Sequence, residues 1–459
     1  MVLAPKLQAI VAFAKRRGFV FQGSELYGGL AGTFDYGPLG VQLKKNIKDE
    51  WWKHFVLKRP NECVGVETSI LLNPKVWKAS GHVDSFTDPL SECPSCQKRV
   101  RADQYAEKLI GAQVSALQAT VENLKSTGKW TCPHCGSADL SHAKDFNLLL
   151  STGVGVGDNQ QTCFLRPETS QGTFISLQQV FASTGRRKLP LGVASQGRVF
   201  RNEISPRDFI FRTREFEQCE LQWICPATES HHWFDYWVNE CTDFATSICG
   251  LGRVGHHSHG DHELAHYSLQ TTDLTFDFPS IGDSEFWGIS NRGSFDLEAH
   301  NIKLPASIAS STVHVIEPSL GVDRLFLAVL CNSLQIDENR TVMTLPAQIA
   351  PFEFAVLPVV VKNEKIMKMA RDLVSHMVLN LGSRCDTDES SASIGKKYRR
   401  QDEIGTPYCI TVDDDTVATG EATVRFRDSM EQIRLRLQDF SSKHELLKHL
   451  QSNEYSNVN

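Results

Sequence analysis

The segment Phe200–Glu220, FRNEISPRDFIFRTREFEQCE, concentrates side chains that could do chemistry. It carries Arg201, Glu203, Arg212, Arg214, Phe216, Gln218 and Glu220 on two extended stretches joined by the turn-prone Ser205-Pro206-Arg207-Asp208. Alternation puts Arg201 and Glu203 on one face, and Phe216, Gln218 and Glu220 on one face of the returning strand. An aromatic plate beside guanidinium groups and carboxylates makes a poor core. It suits a purine, a polyphosphate and an ammonium group held side by side. The competing reading is a surface hairpin with solvated ion pairs.

A second constellation is Cys93-Pro-Ser-Cys96 with Cys132-Pro-His-Cys135, two matching CxxC knuckles separated by residues 97–131. Four thiolates suit tetrahedral Zn²⁺ and leave no open coordination position, so the expectation is a structural zinc on Cys93, Cys96, Cys132 and Cys135. Two other motifs lack their context. His262-Glu263-Leu264-Ala265-His266 matches the metalloprotease HExxH pattern, but Gly260-Asp261 precedes it and strand-like alternation follows, so no helix aligns the histidines. Gly250-Leu251-Gly252-Arg253-Val254-Gly255 matches GxGxxG but follows a helix, where a dinucleotide site needs a strand first.

The elements that must position these groups follow from patterning. With 459 residues, 41% of them hydrophobic and 22% charged, the chain has the composition of a soluble globular protein of several domains. A net charge of −6 gives no global pull on nucleic acid, so such binding needs local cationic patches. No apolar run reaches membrane-spanning length, so no membrane partner is expected. The amino terminus has its Lys15-Arg16-Arg17 after the apolar stretch, the reverse of a signal peptide. Thirteen scattered cysteines imply reduced thiols and a cytoplasmic location. Leu43, Ile47, Trp51 and Phe55 mark an amphipathic helix; Leu109 to Leu124 has helical spacing inside the cysteine-bounded insertion. Residues 190–225 read as a hairpin, 231–249 as a helix, 263–299 as antiparallel strands, and Leu325–Leu330 as a buried helix. Beyond residues 345–351, strand and helix alternate. The predicted order is a strand at Phe354–Val361, a helix at 364–381, strands at Tyr408–Val412 and Ala422–Phe426, and a last helix using Met430, Ile433, Leu437 and Phe440.

The order of motifs is FDYGPLG with its helix, FRNE with RTREFEQCE, then EPSLGVDR before an apolar helix. It resembles the three signatures of class II aminoacyl-tRNA synthetases and, within them, the homodimeric glycyl-tRNA synthetases. Arg166-Pro-Glu168-Thr-Ser-Gln-Gly172, Asn291-Arg292 with Phe295-Asp296-Leu297, and SIGKKYRRQDEIGTPYCITVD extend the likeness over essentially the whole chain. The continuation Arg101-Ala-Asp-Gln-Tyr105 departs from it. The resemblance implies an α+β catalytic domain (1–345) with an antiparallel sheet of at least six strands. It further implies a zinc-knuckle insertion (90–140), a C-terminal α/β anticodon-binding domain (346–459), and a homodimer built partly around Pro38.

It also implies a reaction: glycine's carboxylate joins the α-phosphate of ATP, and the glycyl group then passes to the 3′ end of glycine tRNA. Arg201, Arg212 and Arg324 are the implied catalytic cations, Arg201 at the α-phosphate and the other two at the γ-phosphate. Mg²⁺ would lie between phosphates near Glu285, with Phe216 stacked on adenine. The implied ATP site comprises Arg201, Asn202, Glu203, Phe211, Arg212, Thr213, Arg214, Glu215, Phe216, Glu285, Phe286, Gly321, Val322, Asp323 and Arg324. The implied glycine site comprises Arg101, Glu168, Phe216, Glu217, Gln218, Cys219, Glu220, Glu317, Pro318, Ser319, Leu320 and Gly321. Lys396, Lys397, Arg399 and Arg400, with the ring of Tyr398, are implied in tRNA contact. A non-catalytic nucleic-acid-binding relative, or a class II enzyme for another amino acid, are the competing readings.

Overall fold

The computed structural model describes residues 5–456 other than 113, 115, 187, 309–311 and 339. Its centre is a seven-stranded sheet. In chain order the strands are β1 (Cys63–Val66), β2 (Leu191–Phe200), β3 (Glu215–Pro226), β4 (Gly255–Ser258), β5 (Gln270–Phe278), β6 (Gly282–Gly293) and β7 (Val313–Gly321). Across the sheet they run β4-β5-β6-β7-β3-β2-β1, antiparallel except for the β2–β1 pair.

One face of this sheet is a conventional core. Cys219, Leu221 and Trp223 of β3 and Ile316 and Leu320 of β7 pack there against three helices. These are α1 (Pro38–Trp52), the Ser230–Asp243 helix, and α3 (Val322–Ser333), reached through Leu43, Ile47, Trp51, Phe234, Trp237 and Leu325. The period of four in α1 puts its aromatic face on the sheet, as its sequence predicts.

The other face changes character along the strands. Helix α2 (Ser170–Thr184) covers one half of it, where Ile224, Val313 and Val315 pack on Phe174, Leu177 and Val180. Past the start of α2 the same alternating positions become Gln222, Glu220, Gln218 and Phe216 on β3, and Glu317, Ser319 and Gly321 on β7. Apolar residues cease where the helix ceases, and the uncovered half of the face becomes a polar floor.

The cysteine-rich insertion has a core of its own. Strands Thr87–Glu92, Arg99–Arg101 and Lys144–Asn147 form a small sheet, and Val100, Ala106, Val121, Leu124 and Trp130 fill its interior. The helical spacing read through Leu124 is two helices, Ala102–Ile110 and Leu117–Ser126; Gly111, at φ +71°, closes the first.

The C-terminal domain is a five-stranded α/β sheet. Phe354–Pro358 lies between parallel partners Cys385–Thr387 and Tyr408–Val412, and Glu421–Phe426 and Gln432–Arg436 continue antiparallel. The final helix expected over Met430–Phe440 is not there. Gln432–Arg436 is a strand because Ile433 and Leu435 turn inward between exposed Gln432, Arg434 and Arg436, so period two wins over period four. The terminal helix is Lys443–Ser456.

Candidate functional site

The polar floor is the base of a cavity of about 300 Å³. Strand register builds it: Asp273 lies opposite Gly288, Gly288 opposite Ser319, and Ser319 opposite Glu220. Ser290 pairs with Thr271 on one side and with Glu317 on the other. A Cβ on Gly288 would sit 3.3 Å from Oδ1 of Asp273, so the bare backbone keeps the floor flat.

The cavity brings together Arg201 and Arg212 of one segment with Arg324, which lies more than a hundred residues further along the chain. Arg201 and Glu203 are not on a strand as the alternation predicts. Strand β2 ends at Phe200, and residues 201–214 form an irregular loop with a single turn at Phe209–Phe211. Arg201 donates from Nε to the carbonyl of Pro167 at 3.1 Å, with its guanidinium 5.3 Å from the Phe216 ring centre. Arg324, at the start of α3, lies 4.4 Å over the Phe211 ring and donates to the carbonyls of Phe211 and Glu285. Its Nη1 is also 3.3 Å from the Glu285 carboxylate. Among the described residues Arg212 has a loose charged partner, Glu203 at 3.9 Å. Burial pushes its pKa down, and the nearby guanidiniums of Arg101, Arg324 and Arg207 add to this against the pull of Glu203. Cations crowded in this way suit a polyanion.

The opposite end holds carboxylates. Glu220, 2% exposed, accepts from the Thr169 hydroxyl (2.5 Å), the Ser170 hydroxyl (2.8 Å) and the Ser319 hydroxyl (2.6 Å). Glu317 accepts from Ser170 and Gln222 at 2.6 Å each and from Arg292 at 2.9 Å. Glu168 is 3.5 Å from the His82 ring and accepts from Gln171 at 3.0 Å. Burial drives Glu317 up to about 7, with Glu220 and Glu168 adding to the rise and Arg292 opposing it. Burial also works on Glu168, but His82, Arg292 and the Gln171 hydrogen bond outweigh it and hold that carboxyl well below its ordinary range. Arg292 is itself bound to Asp296 at 2.7 and 2.9 Å, so one guanidinium serves several buried acids. The buried Oε1 of Gln218 has no hydrogen-bond partner among the described residues. A pocket with surplus negative charge and an unused acceptor fits a small ammonium.

Phe211, Thr213, Phe216, Phe286, Gly321, Gln218, Ser319 and Glu285 line the same cavity. Other implied residues lie elsewhere. Glu217 and Cys219 on β3 and Pro318 and Leu320 on β7 occupy the alternate positions and face the core side. Val322 is buried in that core, and Glu215 pairs with Arg198. Glu217 binds Lys44 (3.1 Å) and Lys48 (2.8 Å). Asp323 borders the cavity, but its carboxylate is taken by Tyr36, by Lys44 at 2.8 Å and by the Glu217 backbone N–H at 2.7 Å. Arg214 turns away and donates to the carbonyls of Glu203 and Ala31, and Asn202 anchors the loop through its backbone to Leu148. Arg101 is held by Asp88 and Asp103 in a neighbouring cleft between the insertion and the Arg201–Arg214 loop.

Sequence reasoning assigned no site role to Arg292, Asp296, Tyr267, Asp273, His82, Thr169 or Ser170. The i,i+4 spacing of Arg292 and Asp296, and Thr169-Ser170 directly after Glu168, were the available signals. His82 had none, being brought by a separate short helix, His82–Ser85. The HExxH residues form turns with no helix; Glu263 accepts from the Gly260 N–H at 3.0 Å and meets His257 at 3.5 Å. Residues 250–255 lead into strand β4, which begins at Gly255, and not into a helix, so the GxGxxG match has no dinucleotide geometry.

The four knuckle cysteines converge, with all Sγ atoms within 4.8 Å of one another. Cys93 and Cys135 are 3.6 Å apart, as are Cys96 and Cys132. A tetrahedron with Zn–S near 2.3 Å has edges of about 3.8 Å, so the set fits that ion. Each knuckle turns through a left-handed residue after its second cysteine, Gln97 at φ +57° and Gly136 at φ +75°.

In the C-terminal domain the Ile394–Ile404 helix exposes Lys396, Arg399 and Arg400. Arg400 pairs with Asp388 at 2.8 Å. Lys397 does not join them: it is fully buried and donates to the carbonyls of Pro358 (2.8 Å) and Asp388 (2.7 Å). Tyr398 is half-buried beneath Arg425, its hydroxyl on Thr411, so its ring is not free to stack on a base.

A mostly antiparallel sheet whose open half carries guanidiniums at one end and carboxylates at the other, beside a separate α/β domain, defines a class II aminoacyl-tRNA synthetase. Residues 155–333 match the tRNA synthetase class II core domain (G, H, P, S and T), and residues 353–445 match the anticodon binding domain. The fold is shared by prolyl-tRNA synthetase from Cryptosporidium parvum complexed with L-proline and AMP. That likeness has TM-score 0.61 and 14% identity, covering 97% of this chain and 78% of the other. Sequence similarity is closer to glycine–tRNA ligases. That of Mesoplasma florum is 42% identical over 95% of this chain and 99% of its own length. That of Geobacillus kaustophilus is 44% identical over 94% and 97%. That of Caldanaerobacter subterraneus subsp. tengcongensis is 45% identical over 94% and 95%. The chain belongs to the glycine–tRNA ligase family.

Proposed function

We propose that the cavity binds ATP and glycine side by side, the triphosphate on Arg201, Arg212 and Arg324 and the ammonium on Glu168, Gln218, Glu220, Glu317 and Ser319. The chain is an aminoacyl-tRNA ligase. A glycine carboxylate oxygen attacks the α-phosphorus, the bond to the β-phosphate oxygen breaks, and pyrophosphate leaves with the electron pair. A terminal ribose hydroxyl of tRNA then attacks the glycyl carbonyl and AMP departs. The nucleophile in the first step is already anionic, so the principal barrier is repulsion between two anions, and positioned cations lower it. The observation that carries this reading is the division of charge within one cavity.

Phe216 stacks on adenine in this reading, with Glu203 at its edge. Mg²⁺ would neutralise phosphate charge, and Glu285 and Asp273 are the carboxylates at that end suited to it. Cys93, Cys96, Cys132 and Cys135 hold a structural Zn²⁺, which organises the insertion when bound. Stoichiometric zinc in purified protein, lost in C96S, is the expected result; zinc retained after all four are changed to Ser would remove it.

The acceptor is glycine tRNA, with Lys396 and Arg399 on the anticodon-domain surface. The functional unit is a homodimer in this reading, and the exposed apolar side chains Leu26 (89% exposed) and Tyr27 (88%) in the segment before Pro38, and Val41 (55%) on the helix that begins there, are ones a second copy would cover. The reaction is cytoplasmic in this reading, in keeping with thirteen cysteines none of which is in a disulfide. No helix among the described residues is long and apolar enough to cross a membrane.

ATP–pyrophosphate exchange with each amino acid in turn tests the assignment. Exchange with glycine alone is expected. Exchange with serine or proline would reassign the substrate, and none at all would leave a binding protein.

A further inference from the structure

The carboxylate end of the cavity explains attraction but not choice. Alanine and serine carry the same ammonium and carboxylate as glycine, and the floor beneath is built from small residues, Gly288, Ser290 and Ser319. Rejecting a larger amino acid needs a wall that cannot yield. Hydroxyl and carboxylate side chains supply polarity, not bulk.

Tyr267 is a bulky residue at this end, set beside Arg292. It enters from the loop between β4 and β5, and its ring lies 4.0 Å from the guanidinium of Arg292, which in turn holds Glu317. Phe295 packs against it at 6.2 Å and His266 at 5.2 Å, so the ring is braced on more than one side. The backbone beside it is pinned as well: the Leu269 N–H donates to the Asn291 carbonyl at 2.7 Å, and the Ser268 hydroxyl to that of Gln270 at 3.0 Å. Tyr267 lines the same cavity as Glu168, Glu317 and Arg201, and burial pushes its phenol up to about 12 against the pull of Arg292.

We infer that Tyr267 is a specificity-determining residue, its braced ring closing the side of the amino-acid pocket into which an α-substituent would project. The inference rests on assigning this end of the cavity to glycine. It assigns no proton transfer to Tyr267, so the ring matters and the hydroxyl does not.

The test is ATP–pyrophosphate exchange by full-length wild type, Y267F, Y267L and Y267A, each with glycine and with L-alanine. The quantity compared is the ratio of the two kcat/KM values, which is independent of the fraction of active protein. Since one methylene is worth about 10- to 200-fold in such a ratio, Y267A should shift it toward alanine by roughly ten-fold or more, Y267L by less, and Y267F by under about two-fold. Y267A exchanging with glycine at an unshifted ratio would overturn the inference. So would loss of exchange with both amino acids in Y267A and Y267L alike, which would make Tyr267 a brace for Arg292 only. Wild type failing to exchange with glycine would instead defeat the parent assignment.

Discussion

The cavity on the central sheet and the cationic helix of the C-terminal domain are both rich in buried charge, and they use it in opposite ways. In the cavity guanidiniums predominate at one end and carboxylates at the other. Arg212 has a loose partner at 3.9 Å, and at the other end Glu317 is bonded to the Arg292 guanidinium while Glu220 is held by hydroxyls. In the C-terminal domain each buried charge is matched locally. Asp402 binds Arg425 at 2.8 and 3.1 Å and Arg340 at 3.0 Å, and Lys397 is saturated by carbonyls. Imbalance leaves electrostatic work for a ligand to complete; balance holds a scaffold together.

This contrast breaks if substitutions in the two regions act alike. The largest expected effect is R324A, which should slow glycine-dependent exchange by about two to three orders of magnitude, the usual size for losing a donor that stabilises transition-state charge. Its melting temperature should stay near that of the parent. D402A should do the reverse: leaving Arg425 buried without its partner costs roughly 3–5 kcal/mol in folding free energy, read by denaturant unfolding, while exchange per folded molecule is unchanged. Similar exchange defects in both variants would erase the distinction.

A smaller effect is pH-dependent. Burial lifts Glu317 from its ordinary 4.5 to about 7, so in the empty cavity it holds a proton that the unfolded chain has already lost. Stability of the ligand-free protein therefore declines as pH rises between these values. A bound ammonium favours the carboxylate, so glycine expels that proton. The glycine KM should fall as pH rises toward about 7, by at most about ten-fold per pH unit for one proton. E317Q should flatten the profile, and an unchanged slope would remove Glu317 as its source. Smallest is K396A/R399A, which should raise the tRNA KM by roughly three- to ten-fold and leave exchange intact. K397A, by contrast, should lower stability, because its ammonium lies inside the domain.

Much of the site was legible because it follows strand parity. Phe216, Gln218 and Glu220 share a face in any extended segment, and they share one here. The same parity sends Glu217 and Cys219 to the core, a consequence that contiguous motif matching overlooks. The cysteine knuckles were equally readable, since a CxxC turn is local. Arg201 and Glu203 were misplaced because β2 stops one residue before them, where pairing ends. The last predicted helix failed because Ile433 and Leu437, spaced by four, also satisfy alternation with Leu435, and an available edge on Glu421–Phe426 decided between the two.

What the sequence determined by itself was the chemistry on offer: which guanidiniums, carboxylates and thiolates exist, and which neighbours share a face. Those are short-range properties, set by backbone geometry over a few residues. The tertiary structure alone decided that His82, Tyr267 and Arg292 meet Glu168 and Glu317, and that Lys397 is spent on carbonyls. Such meetings depend on sheet order and on where a covering helix ends, and neither leaves a periodic trace in the residues concerned.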